Sequence, residues 1–281
     1  MKHVFIVLLF FTSCKSDKEK QISLWNQSVI SNQIIQEKGK TIKARFLVPN
    51  GFSRVKTNPN TFNYYLQNFK LKPQNSKVYL YNGELKNRQD IHAAILDINV
   101  GKKDLQQCAD ATMRLRAEFL YQQKRYNDIH FNFTNGFNVA YTKWRQGYRL
   151  KIKGNNVSWY KTNKESKTDA SFSKYMQHIF MYAGTLSLNK ELKKVSLNKM
   201  EIGTIFIHGG SPGHAVIVVD MAKNETETLF LLAQSYMPAQ DIHILKNFNN
   251  TKISPWYSTK NLENLQTPEW NFTKEDLKKF P

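Results

Sequence analysis

The chain has 281 residues, 41% of them hydrophobic, and a formal charge of +19 from 41 Lys and Arg against 22 Asp and Glu. The apolar share excludes a disordered polyelectrolyte, and two cysteines exclude a disulfide-stapled scaffold. The cations are scattered rather than clustered, which favours a solvated basic surface over a nucleic-acid groove, so no nucleic-acid partner is expected.

The first segment runs from a basic Met1-Lys2-His3 through eight apolar residues, 4–11, to Thr12-Ser13-Cys14 and an abrupt polar stretch. That is the layout of an export signal. Eight helical residues reach about 12 Å at ~1.5 Å each, short of a hydrocarbon core of roughly 30 Å, so the segment cannot be a permanent span. Thr12-Ser13-Cys14 resembles a lipoprotein lipobox, with Phe11 where Leu is usual. The resemblance implies a signal peptide over 1–13, a lipid on Cys14 and a lipidated tether over 14–22, leaving 23–281 as a single α+β domain. The expected address is the cell envelope, facing the periplasm or the surface, with the membrane reached through that lipid. Lys15-Ser16-Asp17 lacks the Asp directly after the cysteine that resembles inner-membrane retention, so the outer membrane is favoured.

Further along, 42–48 reads as extended, 62–69 as helical, and 78–85 as a hairpin centred on Asn82-Gly83, the dipeptide suited to a type I′ turn. Residues 92–100 read as a buried strand. The clearest helix covers 104–124, with Asp104 as cap and Gln107 completing a capping-box pattern, so that Cys108 falls in the first turn beside Thr112, Leu115 and Phe119 on one face. Strands at 129–133, 137–144 and 148–152 predict an antiparallel meander, and a second helix covers 170–183. In the last third, 203–208, 214–221 and 228–234 predict three consecutive antiparallel strands. Gly209 to Gly213 lacks the Gly-Lys-Ser/Thr ending of a phosphate loop and reads as a tight turn. The tail beyond 250 is expected to wrap the core without regular structure.

Lipidation would consume Cys14, leaving Cys108 without a disulfide partner. A lone cysteine is either a small buried apolar residue or a nucleophile. The first turn of a helix favours the thiolate, because free N–H groups and the positive end of the macrodipole lie there. His214, opening the apolar run Ala215-Val216-Ile217-Val218-Val219 after a Pro-Gly turn, is the candidate base. Gln234, ending the next strand, is the candidate group to orient it. A metal site of His214 with His208 and Asp220 matches no tight ligand spacing, and no metal or cofactor is expected. Trp144, Trp256 and Trp270 could line a sugar groove, but packing is the simpler role.

Asp104 to Arg116 and Glu201 to Ser235 resemble papain-like cysteine peptidases and amidases of the NlpC and CHAP type. Those families order a Cys at a helix start, a His on a following strand and a polar residue on the next. The chain departs from that pattern in a longer Cys-to-His interval, in Ala109 where Ser is common, and in Gln234 where His, Asn or Asp is usual. A resemblance over nearly the whole mature chain is to uncharacterised bacterial lipoproteins catalogued as a domain of unknown function. It is carried by Leu105-Gln106-Gln107-Cys108-Ala109-Asp110 with Arg114-Leu115-Arg116-Ala117-Glu118, Tyr182-Ala183-Gly184-Thr185, Gly210-Ser211-Pro212-Gly213-His214-Ala215, and Ala233-Gln234-Ser235-Tyr236-Met237-Pro238-Ala239-Gln240. These segments nominate Gln107, Arg114, Gly213, Ser235 and Tyr236 as binding residues around the catalytic set.

The resemblances imply an α+β fold whose papain-like, NlpC-type core over 100–245 packs the Cys108 helix on an antiparallel sheet, with N-terminal α/β additions. The implied activity is a cysteine hydrolase or amidase acting on amide bonds such as peptidoglycan stem peptides, with the Cys108 N–H helping to hold the oxyanion. Two alternatives stay open: a non-enzymatic lipoprotein binding an envelope polymer, peptidoglycan or another anionic glycan, or a protein partner, and a lipid ester or thioester hydrolase or acyltransferase using the same dyad.

Overall fold

The computed structural model describes residues 34–162 and 164–281; the predicted signal peptide, Cys14 and the tether lie outside the described residues. The chain divides into 1–33 and a compact unit of 34–281, which alone is described.

The first elements are short: helix α1 (Ile42–Arg45), strand β1 (Ser53–Arg54), helix α2 (Phe62–Gln67) and strand β2 (His92–Ile95). The expected extended run at 42–48 is corrected. Thr41 Oγ1 accepts the Ala44 N–H at 3.3 Å, and this cap outweighs the local β-branched character. The Asn82-Gly83 turn forms, with Gly83 at φ +88°, Leu80 N–H donating to Glu84 O at 2.8 Å and Lys86 N–H to Val78 O at 3.0 Å, but its arms pair as the isolated Tyr79–Leu85 bridge rather than as strands.

Helix α3 (Cys108–Gln122) starts four residues later than expected. Asp104 does not cap it: its Oδ1 accepts the Ala239 N–H at 2.7 Å and Gln107 Nε2 at 3.2 Å instead. Asp110 closes the helix start by accepting the Gln107 N–H at 3.0 Å. The expected three-strand meander is two separate hairpins, β3 (His130–Asn132) with β4 (Asn138–Ala140), and β5 (Tyr148–Lys153) with β6 (Asn156–Lys161). Between them, 141–145 turns into helix α4 (Tyr141–Arg145), which buries Trp144. Helix α5 (Asp169–Tyr182) follows, its Thr168 cap accepting Ser171 N–H, and then α6 (Thr185–Glu191).

The core is one antiparallel sheet. Strands β7 (Lys193–Lys194), β8 (Ile205–His208), β9 (His214–Lys223), β10 (Thr228–Gln234), β11 (His243–Leu245), β12 (Tyr257–Ser258) and β15 (Leu277–Lys279) join β1 and β2 in it; β13 (Asn264–Gln266) and β14 (Asn271–Thr273) pair separately. The order is β2-β11-β10-β9-β8-β15-β7, with β1 on β9 and β12 on β10. The tail is therefore not irregular: β15 extends the sheet. Nine of the ten β9 residues are buried, because β8 and β10 flank the strand and α2 and α3 pack on it. A strand covered this way reads as a continuous apolar run, which is why 214–223 shows no alternation.

Candidate active site

Register places the sheet's chemistry. His208 pairs with His214 at the β8–β9 end, and Gln234 pairs with His243 across β10–β11. The turn between β8 and β9 is held by Thr185 of α6, whose Oγ1 donates to Gly210 O at 3.1 Å. A Cβ on Gly213 would strike that hydroxyl and stand 2.6 Å from Gly210 O and 2.8 Å from His208 O, so only glycine fits there. Cys108, at the start of α3, and His214, at the start of β9, line one cleft of about 340 Å³ together with Gln107, Asp110, Thr185, Gly213, Tyr236 and Trp270.

His214 is 1% exposed, with Tyr236, Trp270 and Phe272 rings 4.9, 5.5 and 5.8 Å from its own. Its tautomer follows from a chain of obligations. Lys86 Nζ donates to Glu269 Oε1 at 2.7 Å, and the other carboxylate oxygen can only accept, so at 2.6 Å it takes the Gln234 amide nitrogen. Gln234 must then turn Oε1 toward His214 Nε2, 2.9 Å away, which makes Nε2 the protonated nitrogen and leaves Nδ1 with its lone pair. The second Gln234 N–H faces His243 Nε2 at 3.4 Å, while His243 Nδ1 donates to Asp241 O at 2.9 Å. Burial, partly opposed by the Gln234 bond and assisted by the Lys86 charge, lowers the His214 pKa to about 4, so the ring is a neutral base at neutral pH.

Cys108 is 8% exposed and free. Burial and then the nearby Asp110 carboxyl push its pKa up to about 11, against the backbone amides of Ala109 and Ala215 that favour the thiolate. The resting pair is therefore thiol and imidazole. Asp110 is itself held well above the usual carboxylate range by burial; Oδ2 accepts the Gln107 N–H and Oδ1 has no partner among the described residues.

The structure thus brings Cys108, His214, Gln234, Gln107, Gly213 and Tyr236 to one site. Ser235 is not in it: fully buried, its Oγ donates to Gln240 O at 2.8 Å and lies 3.1 Å from Gln106 O, fastening the segment before Cys108 to the loop after β10. Arg114 does not line this cleft but a neighbouring cavity. His208 lies 3.4 Å from Asp276 and Asp220 pairs with Arg54, so they form no metal set with His214. Among the described residues no group of three His, Cys, Asp or Glu could hold a metal. Trp144 and Trp256 are core residues, and Trp270 alone of the three candidates reaches the cleft. Sequence reasoning missed Lys86, Glu269 and Asp110. The Cys108-Ala109-Asp110 run pointed at the last, but no local pattern joins Glu269 to Gln234.

A family model described as Domain of unknown function (4846) matches residues 42–279. No curated protein and no solved structure matches the chain.

Proposed function

The chain belongs to the Domain of unknown function (4846) family, and we propose that it is a cysteine hydrolase or amidase of papain-like type acting on amide bonds. The observation that carries this reading is the Lys86–Glu269–Gln234–His214 chain, which fixes Nε2 as donor and leaves Nδ1 as the free base of a residue that shares its cleft with a cysteine at a helix start. Cys108 attacks the substrate carbonyl as its proton passes to His214 Nδ1. The Cys108 N–H, without an acceptor within its own helix, contributes to holding the oxyanion. His214 then returns the proton to the leaving amine, and water attacks the acyl-enzyme by the same base.

Because His214 takes the Cys108 proton as attack proceeds, the reacting species is the thiol–imidazole pair, whose share does not change with pH between the two pKa values, about 4 and about 11, whereas reaction through the free thiolate would rise about tenfold per pH unit. The test is the alkylation rate of the full chain carrying Cys14→Ser, in which Cys108 is the sole thiol. A flat rate from about pH 5 to 9 is expected, replaced in His214→Ala by a rise of about tenfold per pH unit. A wild-type rate that rises tenfold per unit, as the variant's does, overturns the reading.

One observation favours a second reading. A resting thiol at about 11 beside an imidazole at about 4 is also what inert packing produces, and it fits a non-enzymatic lipoprotein that binds an envelope polymer or partner. The steep wild-type profile is that reading's outcome. We further propose that the chain is exported and anchored in the envelope by a lipid on Cys14, on the strength of its signal layout. Mass spectrometry of the membrane-derived protein should find acyl chains on the Cys14 peptide, and release of Cys14→Ser from membranes should accompany their loss; an unmodified peptide rejects the anchor.

A further inference from the structure

Beside the candidate active site lies a second cavity of about 290 Å³, lined by Gln106 where the first is lined by Gln107 and Cys108. Phe180 lines both, so the two are neighbours on one face of α5. Its polar lining includes Gln106, Arg114 and Gln177, with the exposed Lys102 and Lys103, the latter donating to Gln177 Oε1 at 3.1 Å, and Glu118 as the one acid. Three cations against one carboxylate leave the cavity positive.

The bonds inside this wall show what it lacks. Arg114 Nη1 donates to Asn99 O at 2.5 Å and to Gln106 Oε1, and Nε stands 3.5 Å from Glu118 Oε1. Nη2 donates to no group among the described residues. Because Gln106 Oε1 is committed to the guanidinium, its amide nitrogen is turned elsewhere, and that Nε2 is buried with no partner; the whole residue is 1% exposed. A buried amide N–H left unsatisfied is costly, so a residue that keeps one while lining a positive cavity has an acceptor to gain from a ligand. The unsatisfied Gln106 Nε2 and the cationic Arg114, side chains already bonded to each other, suit an anionic acceptor such as a carboxylate.

We propose that this cavity binds a carboxylate on the substrate, received by Arg114 and Gln106. That the carboxylate belongs to a substrate rests on the hydrolase reading above; the site itself does not. Gln106 and Cys108 are two residues apart, at most about 7 Å between Cα atoms at ~3.3–3.6 Å per residue. The substrate class is therefore an amide whose free carboxylate stands one or two residues from the attacked carbonyl, with its aliphatic or aromatic body against Phe180.

The test is calorimetric titration of the full chain with three probes: N-acetylalanine, its primary amide and inorganic phosphate. Only the carboxylate should bind. Arg114→Gln should weaken it at least about tenfold, as expected for loss of a charge-assisted pair. The double variant Lys102→Ala with Lys103→Ala, which touches no buried group, should weaken it about two- to threefold and flatten its salt dependence. Equal binding of acid and amide, equal binding of phosphate, indifference to both variants, or no binding of the acid overturns the proposal. The alkylation profile of the Cys14→Ser chain separates the two readings. Carboxylate binding in a chain whose profile lacks the flat plateau keeps the site and removes its link to chemistry. A missing site with an intact plateau does the reverse.

Discussion

His214 and Asp220 stand six residues apart on β9, both buried and titratable, yet the fold treats them in opposite ways. At the Asp220 end every acceptor is taken. Oδ1 receives Gln67 Nε2 at 2.7 Å and the Met221 N–H at 2.8 Å, and Oδ2 receives Arg54, which also reaches Phe46 O. Burial raises the Asp220 pKa to about 6 and Arg54 holds it back. At the His214 end the network is as dense, through Gln234, Glu269, Lys86 and His243, but it consumes only one of the two ring nitrogens, and the residue lines a cleft that Cys108 also lines. Burial and pKa displacement are shared by both ends. What separates a candidate site from a structural cluster is the acceptor left unused and an opening through which something can reach it.

The largest effect that would test this contrast is expected at the closed end. Arg54→Ala leaves Asp220 buried without its cation and should cost about 3–5 kcal/mol in a denaturant titration. Adding Asp220→Asn to the same chain should restore part of that loss, since it removes the uncompensated charge instead of the partner. The Cys108 alkylation profile should keep its shape under folding conditions. A loss below about 1 kcal/mol would mean that the Asp220 cluster is not the closed structural counterpart drawn here.

The sheet and the site were legible to different depths, for physical reasons that the residues show. Thr228–Gln234 is predicted to the residue, and α5 to within one, because turn residues bound the first and Thr168 caps the second. Cys108 is placed in a first turn correctly although its cap is misassigned. Two acids, Asp104 and Asp110, could close that helix, and the choice depends on Ala239, over a hundred residues away, claiming Asp104. The same distance hides Glu269. It lies 35 residues from Gln234 in a Pro-Glu-Trp run that looks like tail, and only the return of the chain past β12 makes it the carboxylate that sets the amide. Arg114 shows the converse, since membership of a shared segment put it with the cysteine and the turn of α3 pointed it into the next cavity. Strand identity is written locally in apolar runs and turns; the polar groups that define a base are chosen by the sheet's closure.

The finest test acts on the orientation that distinguishes the His214 end. Glu269→Gln keeps the volume and a bond to Lys86, but an amide can offer either an oxygen or a nitrogen to Gln234, so Gln234 is no longer compelled to turn Oε1 toward His214. Stability should fall by about 1–2 kcal/mol, the difference between a charge-assisted and a neutral bond. The alkylation plateau should drop by about three- to tenfold while staying flat with pH, because fewer molecules hold the Nε2–H tautomer and the base itself is intact. A plateau unchanged in height would show that Gln234 keeps its orientation without Glu269. A profile turned steep, as in His214→Ala, would place Glu269 in the proton transfer itself rather than behind it.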